Sequence, residues 1–133
     1  MPKSTTNSSK HTAHNCNAIV ISCMDFRLRK FLRAWASSIL DKGGYDRVAI
    51  AGGVKNLGVI VDQVSLSVQL HHIHEVYLIN HEDCGAYGVE GTYEKHKEDL
   101  LFAKTVLNHR FPDIQIIPLY LKLTGEFVRV DKK

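Results

Sequence analysis

A chain of 133 residues, 44% hydrophobic and 23% charged, fits one domain around a single hydrophobic core. No apolar run reaches the ~18–20 residues that a membrane-spanning helix needs. The net charge of +3 is carried by dispersed lysines and arginines, not by the continuous basic stripe of a nucleic-acid surface.

Met1 to Asn17 is rich in Ser, Thr, Asn and Lys and lacks the apolar stretch of a signal peptide, so residues 1–17 are expected to form a mobile polar tail before a domain at 18–133. Ala18 to Ser22 is a continuous apolar run suited to a strand buried on both faces. From Phe26 to Leu40 the positions Leu28, Phe31, Leu32, Trp35 and Ile39 recur at helical spacing, and Lys42-Gly43-Gly44 ends that helix. Its basic residues Arg27, Arg29, Lys30 and Arg33 read as a solvated face.

Asp46 to Ala51 is a second strand, followed by Gly52-Gly53 and a second helix over Asn56 to His72. Glu75 to Asn80 forms a third strand that runs directly into His81-Glu82-Asp83-Cys84-Gly85. Thr92 to Arg110 is a third helix, stopped by Pro112. Ile114 to Leu123 is a fourth strand, expected to break near Pro118, and Glu126 to Val130 a short edge strand after the Thr124-Gly125 turn. Repeated strand–helix units imply a single α/β domain with a parallel sheet and helices on both faces.

In such sheets ligands bind outside the carboxyl ends of the strands, beside the point where strand order reverses. Cys23 to Arg27 follows the first strand and His81 to Gly85 the third. If these strands are neighbours, Cys23, His81 and Cys84 converge. Two thiolates and an imidazole suit zinc, and three protein ligands leave the open position of a catalytic site. Cys84-Gly85 is expected to open a helical turn whose free N–H groups favour a thiolate. Cys16, the remaining thiol, lies before the first strand, toward the opposite end of the sheet. The three cysteines cannot all pair, and thiols of this kind belong to a reducing cytoplasm.

Cys23-x-Asp25-x-Arg27 with His81-x-x-Cys84-Gly85 resembles the β-class carbonic anhydrases, and Ala51-Gly52-Gly53 stands where that family has its Ala-Gly loop. The resemblance covers about Ala18 to Leu123. It implies a sheet of strand order 2-1-3-4, Zn2+ held by Cys23, His81 and Cys84, and a homodimer or larger homo-oligomer with its clefts near the subunit interface. It further implies reversible hydration of carbon dioxide to bicarbonate by a zinc-bound hydroxide. Asp25 would accept a hydrogen bond from the water, and Arg27 would hold Asp25. A carboxylate beside the nucleophile must stay ionised, and a guanidinium keeps it so.

The chain departs from the family at Phe26, where a serine is usual, at Asn80, where glycine is usual, and at Ala49-Ile50 before the Ala-Gly loop. Relatives on this scaffold hydrolyse carbonyl sulfide or carbon disulfide, so a sulfur analogue is an alternative substrate. A zinc-containing regulatory homologue without turnover is another. Cys23 and Arg29 also match the C-x5-R spacing of a phosphatase loop. That segment has no glycine and places Asp25 against the anion, and it leaves His81 and Cys84 unexplained. The Gly52-Gly53 segment lacks both nucleotide-loop spacings and reads as a turn that starts a helix. His71, His72 and His74 cluster at a helix end and read as exposed polar residues, with a weak surface metal site as the alternative.

Overall fold

The computed structural model describes residues 14–40 and 43–132. The tail expected at 1–17 lies, over residues 1–13, outside the described residues, as does Lys42 of the expected helix stop. Cys16 and Asn17 are tied down: the Cys16 N–H donates to the His71 carbonyl at 3.0 Å, and the Asn17 carbonyl accepts from His74 and Glu75 at 2.8 and 3.1 Å.

The elements follow in the order β1 (Ala18–Ser22), α1 (Arg29–Ile39), β2 (Tyr45–Ala49), α2 (Leu57–His71), β3 (Glu75–His81), α3 (Tyr93–Arg110), β4 (Gln115–Leu121) and β5 (Phe127–Arg129). One sheet has the order β2-β1-β3-β4-β5, with β5 alone antiparallel. This is the single α/β domain expected, with its 2-1-3-4 order and short edge strand.

Alternation along the strands divides the core in two. Ile19, Ile21, Val76, Leu78 and Ile116 pack on one face against Ile60 and Val64 of α2 and Leu100 and Leu107 of α3. Ala18, Val20, Tyr77, Ile79 and Ile117 pack on the other against Ala36 of α1 and the flanking Leu28 and Leu40. Covered on both faces, β1 is buried at all five positions, whereas the outer strand β2 is exposed at every second one. No helix among the described residues is long and apolar enough to cross a membrane.

Two local expectations change. The helix expected from Phe26 begins as a 3-10 turn, Phe26–Leu28, and becomes α-helical only at Arg29. The Asp25 carboxylate accepts the Arg27 N–H at 2.9 Å and so caps this tighter turn. The fourth strand is not broken at Pro118, which stays in register opposite Leu78. The Pro118 carbonyl accepts from the Val130 N–H at 3.2 Å, so proline's missing donor faces the β5 edge and costs the β3–β4 ladder nothing.

Strand order reverses at β1: the chain passes to β2 on one side and then to β3 on the other. Ser22 is in register with Ile79, so Cys23 emerges level with the last residues of β3. That pairing places residues 23 and 81 together.

Candidate metal centre

Cys23, His81 and Cys84 are all buried, and one donor atom from each lies within 4.8 Å of the other two. The two Sγ atoms stand 4.0 Å apart. That is far beyond a disulfide bond. Two thiolates bound tetrahedrally at ~2.3 Å would stand roughly 3.8 Å apart, close to what is seen. The Gly52 N–H points at Cys23 Sγ from 3.4 Å.

His81 completes the case for a cation. Its Nδ1 donates to the Glu82 carbonyl at 2.7 Å, which fixes the tautomer and leaves Nε2 with a lone pair. That Nε2 is buried without a hydrogen-bond partner among the described residues. Burial pushes the imidazole pKa down, keeping the ring neutral as a metal ligand must be. A buried polar atom without a partner is costly, and a metal ion is the partner that a lone pair beside two sulfurs fits. Cys84 does open a turn, its carbonyl accepting from Tyr87 and Gly88 at 3.1 Å. Burial outweighs the nearby Tyr87 and Ala86 N–H groups, however, and raises the thiol pKa, with the Cys23 sulfur adding to it. A bound cation, more than the turn, would hold the thiolate.

Beside the three donors sits a fixed carboxylate. Arg27 Nη2 donates to Asp25 Oδ2 at 2.7 Å and Nε to Oδ1 at 3.1 Å. Hydrogen bonding from Arg27 lowers the Asp25 pKa to about 2 against the opposing effect of burial. Asp25 Oδ2 lies 3.9 Å from His81 Nε2. Asp83, not among the expected site residues, also takes part. Its carboxylate accepts from Arg27 Nη1 at 3.1 Å and its carbonyl from Nη2 at 2.9 Å. Asp83 has a φ of 58°, which an aspartate tolerates better than most residues, and this turns its carbonyl toward the guanidinium. The only signal in sequence was its place between His81 and Cys84.

Asn80, a departure from the family pattern, is the hub of a buried network. Its Oδ1 accepts the Val54 N–H at 3.1 Å, and its Nδ2 donates to Tyr87 Oη at 3.1 Å and His96 Nδ1 at 2.9 Å. Tyr87 Oη in turn donates a hydrogen bond to Asp99 Oδ2 at 2.8 Å. Gly53, at φ 59°, packs so closely that a Cβ there would overlap Asn80 Oδ1. Asn80 thus pins the Gly52-Gly53 loop, which reaches Cys23, to the end of β3.

Because His96 accepts at Nδ1, its proton is on Nε2, which is buried without a partner among the described residues. Burial first, and the neighbouring His81 second, lower its pKa to about 4. Protonation therefore favours the unfolded chain. This share of stability is complete above about pH 6.5 and is lost as pH falls toward 4, up to ~3 kcal/mol. Urea unfolding of metal-free protein should show a shallower acid loss in His96→Gln than in the parent chain; equal slopes would contradict this.

A family model described as "Putative carbonic anhydrase" matches residues 13–131. An "Uncharacterized protein" of Rickettsia bellii is 24% identical over 133 residues, covering 86% of this chain and 81% of its own. The fold is similar to that of the carbonic anhydrase from Glaciozyma antarctica, with a TM-score of 0.66, 17% identity, and coverage of 98% of this chain and 96% of the other. It is equally similar to the apo form of a carbon disulfide hydrolase, with a TM-score of 0.67, 14% identity, and coverage of 97% and 89%.

Proposed function

The chain belongs to this carbonic anhydrase family, and on that premise we propose that it catalyses the zinc-dependent reversible hydration of carbon dioxide. The observation that carries the reading is His81 Nε2, without a hydrogen-bond partner among the described residues, grouped with two sulfurs and standing 3.9 Å from an ionised Asp25. Cys23, His81 and Cys84 would hold zinc, which when bound lowers the pKa of a water to about 7 and polarises it.

The remaining work falls to the chain's own residues. Asp25 accepts a hydrogen bond from the attacking water and so turns a lone pair toward the carbon of a small linear substrate. Arg27 is a positioning residue: it keeps Asp25 ionised and, through Asp83, ties it to the loop that carries Cys84. The Gly52 N–H supports the Cys23 sulfur. Phe26, which stands where the family usually has serine, is 80% exposed.

Stopped-flow hydration assays on protein of measured zinc content test the reading, from neutral to mildly alkaline pH. The expected result is a rate above buffer that scales with bound zinc. Full zinc loading without acceleration would sink the anhydrase. The same samples would then be assayed with carbonyl sulfide and carbon disulfide, and silence on all three substrates would favour the regulatory homologue. A homodimer belongs to this reading, since it would cover the exposed Met24 and Phe26. A monomer mass in light scattering would remove that part.

A further inference from the structure

The centre at Cys23 uses two of three cysteines and leaves Cys16 without a role. Topology brings Cys16 to unexpected company. It stands two residues before β1, and α2 runs back to the same end of the sheet, where its last residue is His71. Asp46, near the start of β2, pairs in register with Ile19. One donor atom from each of Cys16, Asp46 and His71 lies within 4.8 Å of the other two, and all three residues are half-buried.

His71 is not the free polar side chain expected at a helix end. Its Nδ1 donates to Asp46 Oδ1 and Oδ2 at 2.9 and 2.7 Å. The Ser67 hydroxyl, one turn earlier on α2, donates to Asp46 Oδ2 at 2.6 Å. A divalent ion would take the place of the proton between His71 Nδ1 and Asp46, whose carboxylate Ser67 already anchors. His72 takes a different role as the left-handed cap of α2.

We propose that Cys16, Asp46 and His71 form a second metal site, at the amino end of the sheet, for a zinc-like divalent ion. Sulfur, nitrogen and oxygen donors together suit a borderline ion such as zinc or cobalt; calcium and magnesium prefer oxygen alone. A His71–Asp46 ion pair alone accounts for two of the residues and leaves a thiol beside a carboxylate, an arrangement that a cation makes favourable. A Cys-His-Asp nucleophile is the competing chemistry. The Cys16 thiol, however, donates to the Ala18 carbonyl at 3.6 Å, and burial and then the Asp46 charge raise its pKa, the reverse of an activated thiolate. The five residues of β1 separate the two centres by at least roughly 17 Å, so each loads independently of the other.

The test is equilibrium dialysis against Zn2+ or Co2+ alone, with bound metal counted by mass spectrometry. The parent chain should hold two ions, and Cys16→Ser and His71→Gln one each. The double variant Cys23→Ser, Cys84→Ser retains a single thiol and should still hold one ion. With cobalt, that variant should show a thiolate-to-metal charge-transfer band that a further Cys16→Ser abolishes. Circular dichroism confirms the fold of each variant. A parent chain that binds one ion, unchanged by Cys16→Ser, would overturn the second site and leave the first standing. A cobalt-silent double variant would overturn it as well.

Discussion

Replacing Cys84 with serine is expected to empty the centre at Cys23 and to lower kcat/KM for carbon dioxide hydration by on the order of 10³-fold or more. Serine is nearly isosteric at this buried position, so the fold should persist. Its hydroxyl neither ionises near neutrality nor offers the soft donor that completes the set with Cys23 and His81. His81 Nε2 would then be buried without a metal to accept its lone pair. Zinc content and stopped-flow rate, measured on the same samples, check the expectation together. A Cys84→Ser protein that keeps both its zinc at this centre and its rate would remove Cys84 from the ligand set.

Replacing Asp25 with alanine should leave zinc content unchanged and lower kcat/KM by roughly 10²–10³-fold, the scale of a lost hydrogen-bond acceptor that orients the reacting water. Arg27→Lys should cost less, about 10-fold. An ammonium can pair with Asp25 but cannot also span Asp83 with a fixed fork of donors. The cycle of single and double variants carries the argument. If Arg27 acts through Asp25, the lysine substitution has almost no further effect once Asp25 is alanine. Additive losses would give Arg27 an independent role. Full activity in Asp25→Ala would show that the carboxylate serves the fold rather than the reaction.

Much of this architecture was legible in the residues because burial writes itself into the strands. Ala18 to Ser22, apolar throughout, is a central strand because both faces are covered. The residues put Cys23 and His81 at strand ends; that the two strands are neighbours is implied only by the family resemblance, and the sheet order β2-β1-β3 bears it out. What escaped was whatever depends on a single dihedral or on the direction of a single donor. Nothing local distinguishes a proline that faces the sheet edge from one that breaks a ladder, so the sequence predicts a break at Pro118 that the register does not show. Asn80 looked like a departure from the family pattern, and only three-dimensional packing shows its amide satisfied on every side. Cys16 stands at the opposite end of β1 from Cys23, and its neighbours Asp46 and His71 come from elements far along the chain.

The parallel register of β1 with β3 bears also on the order of assembly. Cys23 and His81 are 58 positions apart in the chain (81 − 23), and nothing between them makes the two ends meet before the β1–β3 ladder closes. Parallel strands need a crossover, so that closure is non-local and entropically late. The segment from His81 to Cys84 by itself offers only two of the three donors. An ion at this centre is therefore bound by the completed sheet and not by a local loop, and its binding free energy counts toward the stability of the whole domain.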